Sequence, residues 1–219
     1  MTFRPSVATV AAFLTLVLVV GSAPGPAGQG AEDARLTEPQ QHTEQAPEKF
    51  RANFNTSKGA FVVQVTRALS PNAADRFYNL VKSGYYSGNK FYFVNKQVAM
   101  WGIHGDPKVS QAWISSKIPN DPTRKQENKR GWVALSFGDG MAVQTLVHRA
   151  DNPTMDSQVT PFGQIVAGLG VIDVLYDGYG EMFPSGKAPT MTHLLIGGNA
   201  VLERQFPMLD YINTATLVP

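Results

Sequence analysis

The chain contains no cysteine. That excludes disulfides, thiolate zinc sites, a cysteine nucleophile and a lipid anchor built on cysteine, and it leaves the redox compartment open. Charge is scarce too, at 16% of residues, with 19 basic against 17 acidic side chains. The densest basic stretch, Arg124-Lys125-Gln126-Glu127-Asn128-Lys129-Arg130, reads as a solvated loop. No basic stripe of the kind nucleic-acid readers carry is present, so no nucleic-acid partner is expected. Apolar runs of membrane-spanning length are missing, and no membrane contact is expected beyond an export signal. The four histidines, His42, His104, His148 and His193, do not pair at ligand spacing, and no acidic cluster supports them. No metal and no cofactor are expected. Ser136-Phe137-Gly138 lacks the first glycine of a nucleophile elbow, and Gly168-Leu169-Gly170 lacks the third glycine of a dinucleotide fingerprint. No internal repeat appears.

What is present suits one sizeable domain with appendages: 219 residues, 43% hydrophobic, with 20 glycines and 15 prolines. Arg4 precedes a fourteen-residue apolar run at residues 7–20, and a stretch of small residues follows to Gly30. This layout predicts a signal peptide over residues 1–30, hence an exported, periplasmic or extracellular protein; an uncleaved anchor is the alternative. Residues 31–49 are polar, with two prolines, and are expected to form a disordered linker. The domain is expected over residues 50–219, its C-terminal part being an extension.

From Asn53 the pattern predicts a strand, a turn over Thr56-Ser57-Lys58-Gly59, and a β-branched strand over residues 60–66. Ser70-Pro71 predicts a helix start, with serine as N-cap. Ala73, Phe77, Leu80 and Val81 share one helical face, and Gly84 ends the helix. Short apolar segments follow at 90–94, 98–103, 131–137 and 143–148, then a strand at 162–166, a short helix at 169–176 and a closing strand at 190–196. Residues 105–129 show no clear periodicity, and loops of that length are usually functional or mobile. Many short strands with two helices argue for a mainly β fold: a closed antiparallel barrel capped by two helices.

One stretch is more specific than the rest: Phe91-Tyr92-Phe93-Val94, then Met100, Trp101 and Gly102, then Gly105-Asp106-Pro107. With the helix ending Gly84-Tyr85-Tyr86, the Gln144 strand, and Pro161-Phe162-Gly163-Gln164-Ile165-Val166-Ala167-Gly168, it resembles the cyclophilin-type peptidyl-prolyl cis-trans isomerases over about three-quarters of the chain. Gly197-Gly198-Asn199 and Phe206-Pro207-Met208-Leu209-Asp210-Tyr211-Ile212 are similar to the C-terminal extension of an exported bacterial subgroup.

The resemblance implies a closed eight-stranded antiparallel barrel with a groove on its outer face, where an X-Pro bond is twisted and an arginine donates to the prolyl nitrogen. Phe93 stands at the arginine's position and has no donor. Gln144 matches the groove glutamine and is the expected peptide contact. Leu146 replaces a pocket phenylalanine, and the other pocket aromatic falls at Gln97 or Val98. Met100 stands for a second glutamine, Val159 for a histidine or aromatic residue, and Thr154 for a large flanking residue. Lys96 or Arg149 is the candidate substitute cation. Two functions follow as expectations: an exported isomerase assisting protein folding with weak or lost activity, or a non-catalytic module binding proline-containing peptides or unfolded proteins, or serving as a scaffold. A monomer is expected.

Overall fold

The computed structural model describes Met1 and residues 35–122, 126–136 and 140–218. The expected signal peptide therefore lies, Met1 apart, outside the described residues. Eight antiparallel strands form one curled sheet: β1 (Lys49–Thr56), β2 (Gly59–Thr66), β3 (Phe93–Val94), β4 (Val98–Trp101), β5 (Trp132–Leu135), β6 (Thr145–His148), β7 (Gly163–Ala167) and β8 (Ile212–Val218). Their spatial order is β3-β4-β6-β5-β7-β2-β1-β8. The β1–β2 hairpin forms where the sequence places it, with Thr56 opposite Gly59, whose φ of 119° suits glycine alone.

The closed barrel expected from the sequence is instead an open half-barrel. The end strands β3 and β8 are not laddered; the chain ahead of them meets at a single bridge, Lys90 opposite Tyr211, flanked by Gly88 N to Ile212 O and Phe91 N to Asp210 O, both at 2.8 Å. The reason is local. Asn95 Oδ1 accepts from the amides of Gln97 and Val98 at 2.8 Å, and this side-chain turn stops β3 after two residues.

Among the described residues four complete α-helices, rather than two, accompany the sheet: α1 (Pro71–Lys82), α2 (Pro107–Ser115), α3 (Leu169–Asp173) and α4 (Gly198–Gln205). α2 lies in the stretch without evident periodicity. Asp106 caps it by accepting from Lys108 N at 2.7 Å, and Pro107 takes the first turn. Residues 190–196 are not the closing strand. They lead into a π-helical turn at His193–Gly197 that continues as α4, and β8 closes the order instead. Ser70 does not cap α1 with its side chain. Asp121 does so from fifty residues away, accepting from Ser70 Oγ at 2.7 Å, Asn72 N at 3.1 Å and Ala73 N at 2.9 Å.

The linker expected to be disordered is also corrected over residues 35–48. Leu36, Pro39 and Ala46 are buried, and Leu36 O accepts from Trp113 Nε1 at 2.6 Å. Asp75 accepts from Ala46 N at 2.8 Å, and Asn79 donates to Glu44 O at 2.7 Å. Composition reports only what a segment buries within itself; here a neighbouring helix supplies the surface.

The core lies between the inner face of the sheet and α1. Phe54 stacks on Phe61 at 5.0 Å, Phe77 meets Phe162 at 4.8 Å, and Trp101 meets Phe54 edge-on at 5.9 Å. Two of the buried tyrosines find partners for their hydroxyls here: Tyr85 donates to Gly102 O at 3.0 Å, and Tyr86 pairs with Thr145 Oγ1 at 2.9 Å. Gly102 has φ 108°, and a Cβ there would meet Val143 O at 2.1 Å, so the backbone approach excludes any other residue.

Candidate functional site

The antiparallel register sets one row of side chains across four strands of the outer face. Phe93 lies opposite Met100, Met100 opposite Leu146, and Leu146 opposite Ala134. Val98, Ala134, Leu146 and Val159 form a buried cluster separate from the main core, with Phe93, Met100 and Met155 packed against it. Leu146 is 2% exposed and Val159 5% exposed. The structure thus brings together five residues picked out from the sequence: Phe93, Val98, Met100, Leu146 and Val159. It also settles the hairpin register. Val98 joins the cluster, whereas Gln97 is exposed in the β3–β4 turn, so Gln97 is not a wall residue.

Gln144 lies two residues before Leu146 and is half-buried, and its Nε2 donates to Tyr92 Oη at 3.2 Å. Burial raises the Tyr92 phenol well above its ordinary range, so the hydroxyl stays protonated. Thr154 is exposed at the edge and bonds Asn152 Oδ1 at 2.7 Å. Arg149, expected as a substitute cation, is committed elsewhere. Its guanidinium donates to Asn95 O at 2.5 Å and Asp173 O at 3.0 Å, and pairs with Asp177 at 3.2 Å. Lys96 is exposed in the same turn as Gln97.

Three participants were not picked out from the sequence as parts of this site. Met155, at the end of the short 3-10 turn Pro153–Met155, packs onto the cluster. Asn128 ties that loop down: its backbone N and Nδ2 each donate to Asp156 Oδ1 at 2.8 Å, and Nδ2 also reaches Val159 O at 3.2 Å. These bonds hold the Asp156 carboxyl below the usual carboxylate range. His148 stands opposite Val98, fully buried, with no hydrogen-bond partner for either ring nitrogen. Burial lowers its pKa to about 4, with Asp156 pulling weakly the other way. Strand alternation from Leu146 was the available signal, since positions two apart share a face.

The row therefore offers apolar surface and thioether sulfur, with no cationic donor among its side chains. Among the described residues no group of three or more His, Asp or Glu side chains is placed to hold a metal ion, and no helix is long and apolar enough to cross a membrane.

Comparison with known proteins fixes the family. The model for "Cyclophilin type peptidyl-prolyl cis-trans isomerase/CLD" matches residues 51–193. This chain belongs to that family. Among curated relatives, a peptidyl-prolyl cis-trans isomerase of Helicobacter pylori is 27% identical over 137 residues, covering 58% of this chain and 80% of that protein. One from Arabidopsis thaliana is 30% identical over 112 residues, covering 48% of this chain and 69% of that protein. A cyclophilin-type isomerase from Cryptosporidium parvum superposes with a TM-score of 0.58 at 15% identity, over 78% of this chain and 98% of that one. A second crystal structure of the parasite protein was determined in the presence of the dipeptide Ala-Pro. This cyclophilin-type chain thus carries the family's fold, with Phe93, Met100 and Leu146 in one row across the outer face.

Proposed function

We propose that this cyclophilin-type chain engages proline-containing segments of extended or unfolded proteins outside the cytoplasm, with its isomerase activity weak or lost. The observation that carries the reading is the placement of Phe93 at the end of the Phe93–Met100–Leu146 row, with Arg149 committed elsewhere. Twisting an X-Pro amide costs about 18–20 kcal/mol. A donor to the prolyl nitrogen relieves part of that cost, because the nitrogen regains its lone pair as resonance breaks. A preorganised donor of this type contributes about 2.7–4 kcal/mol. Phenylalanine offers none, so the rate falls by roughly a hundredfold or more relative to an arginine-bearing site. Export rests on Arg4 and the apolar run at 7–20.

The second reading, a module that binds proline peptides without catalysis, is favoured by the burial of Leu146 and Val159. A pocket wall already covered by Met155 and Phe93 leaves contact rather than insertion as the mode of binding. One assay separates the two. Exchange NMR on an Ala-Pro peptide gives the isomerisation rate with and without protein, and titration of the same peptide gives affinity. Binding with the uncatalysed rate establishes the module; a rate enhancement matching arginine-bearing cyclophilins overturns the proposal of weak catalysis.

A further inference from the structure

A second cavity lies away from the outer-face row, where the C-terminal extension folds back on the start of the β3 segment. Its volume is about 590 Å³, within the range of small-ligand sites. Lys90 lies on one side, Glu203 of α4 on the other, and Phe206, Pro207, Leu209 and Tyr211 supply apolar walls.

Lys90 is the unusual element. Its side chain is only 11% exposed, yet the ammonium has a single hydrogen-bond partner, Glu203 Oε1 at 3.1 Å. An ammonium carries three donors. The Tyr211 ring, with its centroid 4.6 Å from Nζ, holds the cation in place without accepting a directed hydrogen bond. Glu203 is 64% exposed on the helix surface, and a solvated partner of that kind is weakly held. The backbone beneath is fixed by the Lys90–Tyr211 bridge and its flanking bonds, so the cation is presented by a rigid floor.

We propose that this cavity binds a carboxylate attached to an apolar or aromatic body, with Lys90 taking the carboxylate in place of Glu203. The apolar body packs on Phe206, Pro207 and Leu209, and Glu203 swings out to solvent. Glu203 is then an internal competitor for Lys90, which makes the two residues act with opposite signs. A free N-acylated amino acid and a peptide chain ending in a free carboxylate share this chemistry.

Isothermal titration calorimetry of the full chain tests it, with N-acetylphenylalanine, its uncharged amide, and a hexapeptide ending in phenylalanine in acid and amidated forms. At least one acid is expected to bind where its amide does not, and comparison of the two acids identifies the source. Lys90→Gln should weaken binding about tenfold or more, since a charge-assisted hydrogen bond is lost. Glu203→Gln should tighten it about threefold or more, because the competitor is gone. Acid and amide binding alike, neither acid binding at millimolar concentration, or Glu203→Gln weakening the interaction would each overturn the proposal. Glu203 lies on the surface, so that variant remains informative even if Lys90→Gln fails to fold. Neither variant touches the Phe93 row, and the outcome is independent of isomerase activity.

Discussion

The inner face of the sheet is built from rings, and the outer face from branched aliphatic and thioether side chains. Inside, Phe54, Phe61, Phe77, Trp101 and Phe162 meet at centroid distances of 4.8–6.3 Å, and the tyrosine hydroxyls have partners. Outside, Phe93, Met100, Leu146, Met155 and Val159 form a smaller cluster with no hydrogen-bonding side chain, and His148 beneath it has both nitrogens unpartnered. The first face is committed to holding the fold, because every ring has several neighbours and close packing punishes changes in volume. The second is a smaller cluster, and buried polar atoms without partners occur on both faces, Trp101 Nε1 inside and the His148 nitrogens outside. The comparison teaches that the two faces of one sheet serve two purposes, and that their substitutions should separate stability from function.

The largest effect is expected on the inner face. Phe54→Ala should cost about 3–5 kcal/mol by loss of transfer energy and creation of a cavity, read as a drop in the urea midpoint. If peptide binding survives in the folded fraction, the two faces are independent; a binding loss larger than the unfolded fraction would break the distinction.

Next comes Phe93→Arg on the outer face. Restoring a donor worth about 2.7–4 kcal/mol should raise the Ala-Pro isomerisation rate roughly a hundredfold, measured by exchange NMR. An unchanged rate in a folded variant would mean that the outer row does not meet the prolyl bond.

His148 gives a pH signature of similar size. Its native pKa of about 4 lies below the ordinary 6.5, so the unfolded chain takes up the proton first. The stability associated with the neutral ring is complete above pH about 6.5, declines as pH falls towards 4, and changes no further below it. The gap corresponds to about 3 kcal/mol, at about 1.36 kcal/mol per pH unit. Urea midpoints of wild type and His148→Leu should therefore converge or cross between pH 7 and 4, and parallel curves would refute the burial of an uncharged imidazole.

The smallest effect belongs to the long-range cap. Asp121→Ala should cost about 1–2 kcal/mol, because two amides of α1 and Ser70 Oγ lose their acceptor. Peptide affinity should be untouched, since the cap lies on the α1 side of the sheet.

Much of the fold was legible in the chain. Gly59 marked the first hairpin, and Ala73, Phe77, Leu80 and Val81 marked the buried face of α1, because turn chemistry and a 3.6-residue period are local properties. The outer row was legible only in part. Phe93, Met100, Leu146 and Val159 were identified through the family pattern, whereas Met155 and Asn128 were not, since nothing in their own neighbourhoods says that one loop folds over another strand. Residues 35–48 failed for the same reason in reverse: a polar segment gained order from Trp113, Asp75 and Asn79.

Residue identity alone determined that no thiol chemistry occurs and that Phe93 cannot donate to a prolyl nitrogen, because a benzyl side chain carries no polar hydrogen whatever surrounds it. Only the tertiary structure decided that Val98 rather than Gln97 joins the wall, that Arg149 is spent on Asn95, Asp173 and Asp177, that Asp121 caps a distant helix, and that the sheet stays open. Each of these depends on which groups lie within a few ångströms, and separation along a chain does not set distance in space.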